Sequence, residues 1–389
     1  MAIGGTNSGP RLSAEMSVLD AAALCLHDRL SGVAERLNAL NENPEGHREV
    51  HALRVSTRRA SSTLAILRPL LDPRLARRAR KHVRRLRRAA ATVRFCDVQS
   101  ALLHERAQSA DHTEAMALDL VIGWIDGLRD DARKQLKRVR RRITAEKLER
   151  DASRLVESLR PALVEQPADA DTQGGPGAPT FALSEPATRF ATLARAALAS
   201  FADDFMAAAS VPSRDFERLH QVRLKAKRIR YALELLGPAL HESLAEAALV
   251  CIRKLQDRLG EVNDRHELAA LVREHASRLR VRKDSRTFKA LAAMEASLTR
   301  ERDEMLAEFD RWWSARRESF FDALRRLSHP APPQTAPASG APDDTAGFPA
   351  RAADDQPERT SESDRLIQAP ELAPAALLRP HAPLNGVPA

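Results

Sequence analysis

The chain has 389 residues, enough for two or three domains with real cores, and its Lys and Arg outnumber Asp and Glu 62 to 53. No 18 apolar residues run together and the opening MAIGGTNSGPRL has no apolar stretch, so a membrane-spanning helix and a secretory leader are not expected and the protein reads as soluble and cytoplasmic. The three cysteines (Cys25, Cys96, Cys251) lack CxxC or zinc-type spacing, and their odd number argues against a disulfide framework.

In chain order, residues 1–12 are rich in Gly, Ser and Asn and are expected to be disordered. From 13 to 164 the apolar residues recur at helical spacing, with Ala, Leu and Arg dominating, and predict a first helical bundle. A flexible linker is expected over 165–180, from the composition of EQPADADTQGGPGAPT. A second helical bundle is predicted over 181–328. The remainder, 329–389, is Pro/Ala-rich and expected to be a disordered tail. One tyrosine and 15 glycines in the whole chain also speak against a large sheet. The expected fold is all-α: two antiparallel helical bundles, related by a pseudo-twofold, flanking a basic groove.

The pseudo-twofold follows from an internal duplication. Residues 50–71 read VHALRVSTRRASSTLAILRPLL and residues 219–240 read LHQVRLKAKRIRYALELLGPAL. A shift of 169 positions pairs His51 with His220, Arg54 with Arg223, Arg59 with Arg228, Leu64 with Leu233 and Pro69 with Pro238. Without a gap it goes on to pair Arg84 with Arg253, Leu86 with Leu255, Val93 with Val262 and Leu102 with Leu271.

Each copy carries a cationic stripe. On a helix His51, Arg54 and Arg58 fall within about 60° of one another. His220, Arg223, Lys227 and Arg230 repeat the arrangement. The opposite faces hold Leu53, Ala60, Leu64 and Leu67, and Val222, Ile229, Leu233 and Leu236, which predicts a core-facing stripe with a cationic stripe behind it. In the next helix Arg74, Arg77, Arg78, Lys81, Arg84, Arg85 and Arg88 cover half the wheel.

From His51 to Ser100 there are 14 Lys/Arg against Asp72 and Asp97, a local net charge of +12 where the whole chain has +9. A solvated helix face normally interleaves acids with bases at i,i+4, whereas like charges at that spacing cost roughly 0.2–0.5 kcal/mol per pair. No acid occurs from Pro73 to Cys96 or from Arg218 to Leu233. So many uncompensated cations point to a polyanionic partner, and the arginines of the first half suit forked hydrogen bonds to phosphate. His51 and His220 head both stripes, where each could act as an anion contact or as a structural histidine.

His47 and His51 are spaced i,i+4 but no further ligand completes a set, so no metal is expected. No cofactor is expected either. There is no GxxxxGK[ST], GxSxG or HExxH, and no acidic cluster for Mg²⁺, which predicts a non-catalytic protein.

At these residues the sequence resembles the CHAD family, the conserved-histidine α-helical domain. Its pattern is a His, an Arg at +3, basic residues at +7 and +8, and later a turn like LGxxRDxDV, all in duplicate. HALRVSTRR and HQVRLKAKRIRYALEL match the helices; LQDRLGEVND (255–264) is close to the turn, and AATVRFCDV (90–98) is its worn counterpart. Phe95 stands where the family usually has Asp, while Asp97 is retained; these Asp positions read as helix-terminus or ion-pair anchors. The resemblance covers roughly residues 13–328.

It implies an all-helical domain that binds inorganic polyphosphate in a basic groove or pore, in some members on polyphosphate granules. No ExExK block of the hydrolase domain fused to some members occurs here, which implies the stand-alone type. The binding residues it implies are His51, Arg54, Arg58, Arg59, Lys81, Arg84, Arg85, Arg88, His220, Arg223, Lys227, Arg228, Arg230, Arg253 and Lys254. Nucleic-acid binding is the alternative that charge alone permits. Against it stand the lack of a helix-turn-helix and a single aromatic, Tyr231, along the stripes.

Overall fold

The computed structural model describes residues 12–159, 189–210, 215–278 and 285–329. The stretches 165–180 and 330–389, and residues 1–11, lie outside the described residues; Leu12 is buried against the first bundle. Among the described residues the regular elements are helices. They are α1 (Val18–Glu42), α2 (His47–Ile66), α3 (Pro73–Ala107), α4 (His112–Arg142), α5 (Ala145–Glu157), α6 (Phe190–Ala209), α7 (Phe216–Leu236), α8 (Glu242–Arg278), α9 (Arg286–Ser314) and α10 (Arg317–Ser328).

Local chemistry sets several boundaries. Ser17 caps α1 by accepting from the Asp20 amide at 3.1 Å. Asp72 caps the very basic α3 by accepting from the amides of Arg74 (2.9 Å) and Leu75 (2.8 Å), and Pro73 occupies the first turn, where its missing N–H is harmless. Asp215 caps α7 and Ser285 caps α9 in the same way.

The helices of the first half, α1 to α5, pack on one another, as do α6 to α10. Between the halves, α1 meets α6, α2 meets α7, α3 meets α8 and α4 meets α9. Each of these pairs joins helices that the 169-residue shift makes equivalent. The predicted core stripes are where they should be: Leu53, Ala60, Leu64, Leu67, Ile229, Leu233 and Leu236 are fully buried and Val222 nearly so.

The two halves do not have separate cores. One apolar cluster runs from Val18 on α1 through Leu64 and Leu86 to Phe205, Leu233, Leu255 and Phe320. A second cluster joins the distal ends of α3, α4, α8 and α9 through Phe95, Cys96, Ile125, Leu268, Leu291 and Leu298. Arg106 of α3 holds that end together, bonding Glu114 of α4 and Glu301 of α9 and donating to the Ser297 hydroxyl at 2.8 Å.

One local expectation fails. The segments 90–98 and 255–264, which the family pattern presents as turns, lie in the middle of α3 and α8. The reason is packing: Ala90 and Val93 in one, and Leu255, Leu259 and Val262 in the other, repeat at helical spacing against the core. Neither segment contains a proline, and a single interior glycine such as Gly260 costs only about 1 kcal/mol, which this burial offsets.

Candidate functional site

The cationic stripes of α2 and α7 face each other where the halves meet. Arg54 and Arg223, equivalent in the duplication, are each 2% exposed, Arg58 7% and Arg230 8%. The sequence places these groups along a basic groove between the halves; in the structure the stripe turns inward and these cations are enclosed. Lys227, on the same stripe, keeps a partly exposed surface.

Burial, then the neighbouring Arg58 and Arg223, press the Arg54 guanidinium well below its ordinary range. Burial lowers Arg58 too, against a stabilising hydrogen bond and charge interaction with Tyr231. Lys227 is driven well down by burial and by Arg223, Arg58 and Arg54. Arginine does not surrender its proton in a protein, so for Arg54 and Arg58 these shifts are a standing free-energy cost of holding the charges together.

Part of the cluster is compensated internally. Arg54 donates from Nη1 to the Ala91 carbonyl at 3.2 Å. Asp264 and Glu267 of α8 act on Arg223 from the other side. No ion pair closes there, however. All three guanidinium nitrogens of Arg223 are buried without a hydrogen-bond partner, as are Asp264 Oδ2 and Glu267 Oε2.

The remaining predicted residues divide into four groups. Arg59 and Arg230 already have a carboxylate: both bond Glu234, at 3.1 Å and 2.8 Å, and Arg230 also reaches Gln256. Arg228 is exposed, 3.9 Å from Asp204. Lys81, Arg84, Arg85 and Arg88 of α3 and Arg253 and Lys254 of α8 are exposed, outside the enclosed cluster. His51 and His220 are partly buried beside the cluster, and burial, then Arg223 and Lys227, lowers the His220 pKa.

Sequence reading missed Arg87 and Arg94, whose charges act on Arg58 and Arg54. Their seven-residue spacing, bracketing Ala90 and Ala91, was the available signal of an inward cationic face on α3. It also missed Glu234, the acid that ends the acid-free run of α7. Asp97 is buried in the middle of α3, with its Oδ1 2.9 Å from Nδ1 of His47, the first residue of α2. Among the described residues no group of three or more His, Cys, Asp or Glu could hold a metal ion.

Fold and site together define an all-α protein in which two copies of one basic helix bring their cations to a common centre. The chain belongs to the CHAD domain family, which it matches over residues 31–273, a span that includes every residue of the cluster. Among solved structures it is similar to the CHAD domain from the plant Ricinus communis, with 18% identity and a TM-score of 0.51 over 83% of this chain and 96% of that one. It is also similar to PptA from Streptomyces chartreusis, with 20% identity and a TM-score of 0.48 over 77% of this chain and 100% of that one. No curated protein matches the chain. At these identities the likeness to solved structures concerns the fold alone.

Proposed function

We propose that this protein binds inorganic polyphosphate, without cleaving it, through the cations of α2 and α7, and that granules of the polymer are where it acts. The observation that carries this reading is the buried guanidinium of Arg223, which has no hydrogen-bond partner while Arg54, Arg58 and Lys227 crowd the same space. Folding alone gains nothing from such an arrangement. A multivalent anion gains several charge-assisted hydrogen bonds at once and relieves the repulsion.

A thin, flexible chain with a charge on every phosphate suits an enclosed cluster better than a duplex does. Tyr231, the one aromatic on the stripes, is buried and bonded to Arg58, which leaves no base-stacking platform there. The exposed cations of α3 and α8 supply an outer track for the same polymer.

The test is binding of long-chain polyphosphate beside duplex DNA of matched charge at about 0.15 M salt, where screening still leaves buried charges effective. Tight binding of polyphosphate with weak binding of DNA is expected. Equal affinity would reduce the protein to a general polyanion binder, and no binding would overturn the proposal. Phosphate release in the presence of Mg²⁺ would contradict its non-catalytic part.

A further inference from the structure

The two halves of the cluster are not electrically equal. In the 169-residue register Asp264 corresponds to Phe95 and Glu267 to Val98, so the second half carries two carboxylates at positions where the first half carries apolar side chains. Asp264 and Glu267 are almost fully buried, and each leaves one oxygen without a hydrogen-bond partner. Their charges act on Arg223, yet no carboxylate closes to ion-pair distance.

Resting on the polyphosphate reading, we infer that Asp264 and Glu267 compete with the bound polyanion for Arg223 and Lys227, so that binding takes up protons at this acid pair. The second half of the site is then a proton-coupled receptor, and the first half a permanent one.

The groups around Asp264 make the direction of the coupling clear. Asp264 is acted on by Arg223 of α7 and by Asn263, Arg265 and Glu267 of α8 itself; Glu267 is acted on by Arg223 and Lys227 of α7, by Asn263 and by Arg54 of α2, on which Arg94 of α3 acts in turn. Arg265 is turned toward Glu301 of α9, at 3.4 Å. Burial raises the Asp264 pKa to about 7, Arg223 opposes it and Glu267 adds to it. Burial raises Glu267 as well. A polyanion that engages Arg223 withdraws the cation that lowers both acids and adds negative charge beside them. Each change favours the protonated carboxyl.

Affinity for long-chain polyphosphate, measured at fixed ionic strength from pH 6 to pH 8, should therefore weaken about tenfold as the pH rises, the scale one linked proton allows. Asp264→Asn should flatten that profile and bind at pH 8 about as tightly as the wild type at pH 6. Titration calorimetry of the wild type in two buffers of different ionisation enthalpy provides a second readout independent of any variant, and should show net proton uptake at pH 7.5. An unchanged pH slope in Asp264→Asn, which would move the titration to Lys227 or His220, overturns the inference, as does a buffer-independent enthalpy. Failure of the wild type to bind at any pH would instead overturn the polyphosphate reading on which the inference rests.

Discussion

Arg59 of α2 and Glu234 of α7, separated by 175 positions in the chain, close an ion pair at 3.1 Å across the two halves of the molecule. Glu234 bonds Arg230 with its other oxygen. One acid thus holds a residue from each half, directly beside the cluster that repels itself.

Replacing Glu234 with Gln should destabilise the fold by about 3 kcal/mol, the usual scale for breaking a buried pair and leaving its partners charged. Arg59 and Arg230 together hold the Glu234 carboxyl below its ordinary range against the opposing effect of burial. Its contribution is therefore fully present above the unfolded pKa of about 4.3 and is lost as pH falls through the lower folded value. Urea denaturation at pH 7 and pH 3 should show the difference between wild type and variant shrinking in acid. A constant difference would mean the carboxylate charge is not what matters.

Lys227→Met should separate stability from binding. The lysine is held among Arg223, Arg58 and Arg54, so an apolar side chain of similar volume should raise stability by about 1 kcal/mol while weakening polyphosphate binding. Thermal unfolding without ligand, beside a binding isotherm, checks both signs. A variant that is both less stable and fully competent to bind would contradict this placement of the lysine.

The exposed row on α3 should behave differently. Arg84→Gln and Arg88→Gln together should leave the unfolding temperature unchanged and reduce the slope of log affinity against log salt by about 1.5, close to the value for two lost phosphate contacts on a single strand. An unchanged salt slope would mean that the polymer does not follow the outer face of α3.

The thiols should be unequal in reactivity. Burial raises Cys25 and Cys96 to about 12 and Cys251 to about 11, and only Cys251 retains partial exposure. Alkylation of the native protein at pH 7.5, read by mass spectrometry, should label Cys251 first, because the thiolate is the reactive form. Equal labelling of Cys25 would show that α1 opens readily.

The helices and the core positions were legible because periodicity is a local property: Leu53, Ala60 and Leu64 announce their face without knowledge of a partner. The duplication went further, since His51 and His220 implied that α2 and α7 would occupy equivalent places. What no single helix carries is the direction in which a cationic stripe points. Arg54 reads as part of a cationic stripe lining a groove behind a core stripe, and it is enclosed because α7 presents its own stripe to the same centre. Arg59 and Arg230 looked like phosphate contacts because their partner, Glu234, is brought to Arg59 only by tertiary packing. The family pattern misled at 90–98 and 255–264, where continuous burial on one face keeps α3 and α8 helical.

The apolar cluster that passes through both halves gives the covalent connection between them a limited role. Two polypeptides, one ending after Leu159 and the other beginning at Arg189, would between them carry every contact described above. They should find each other when co-expressed and rebuild the α2–α7 centre by complementation, whereas either piece alone would expose half of a core and aggregate. The molecule is in this sense a heterodimer written as one chain, with the cations of α2 and α7 at its interface.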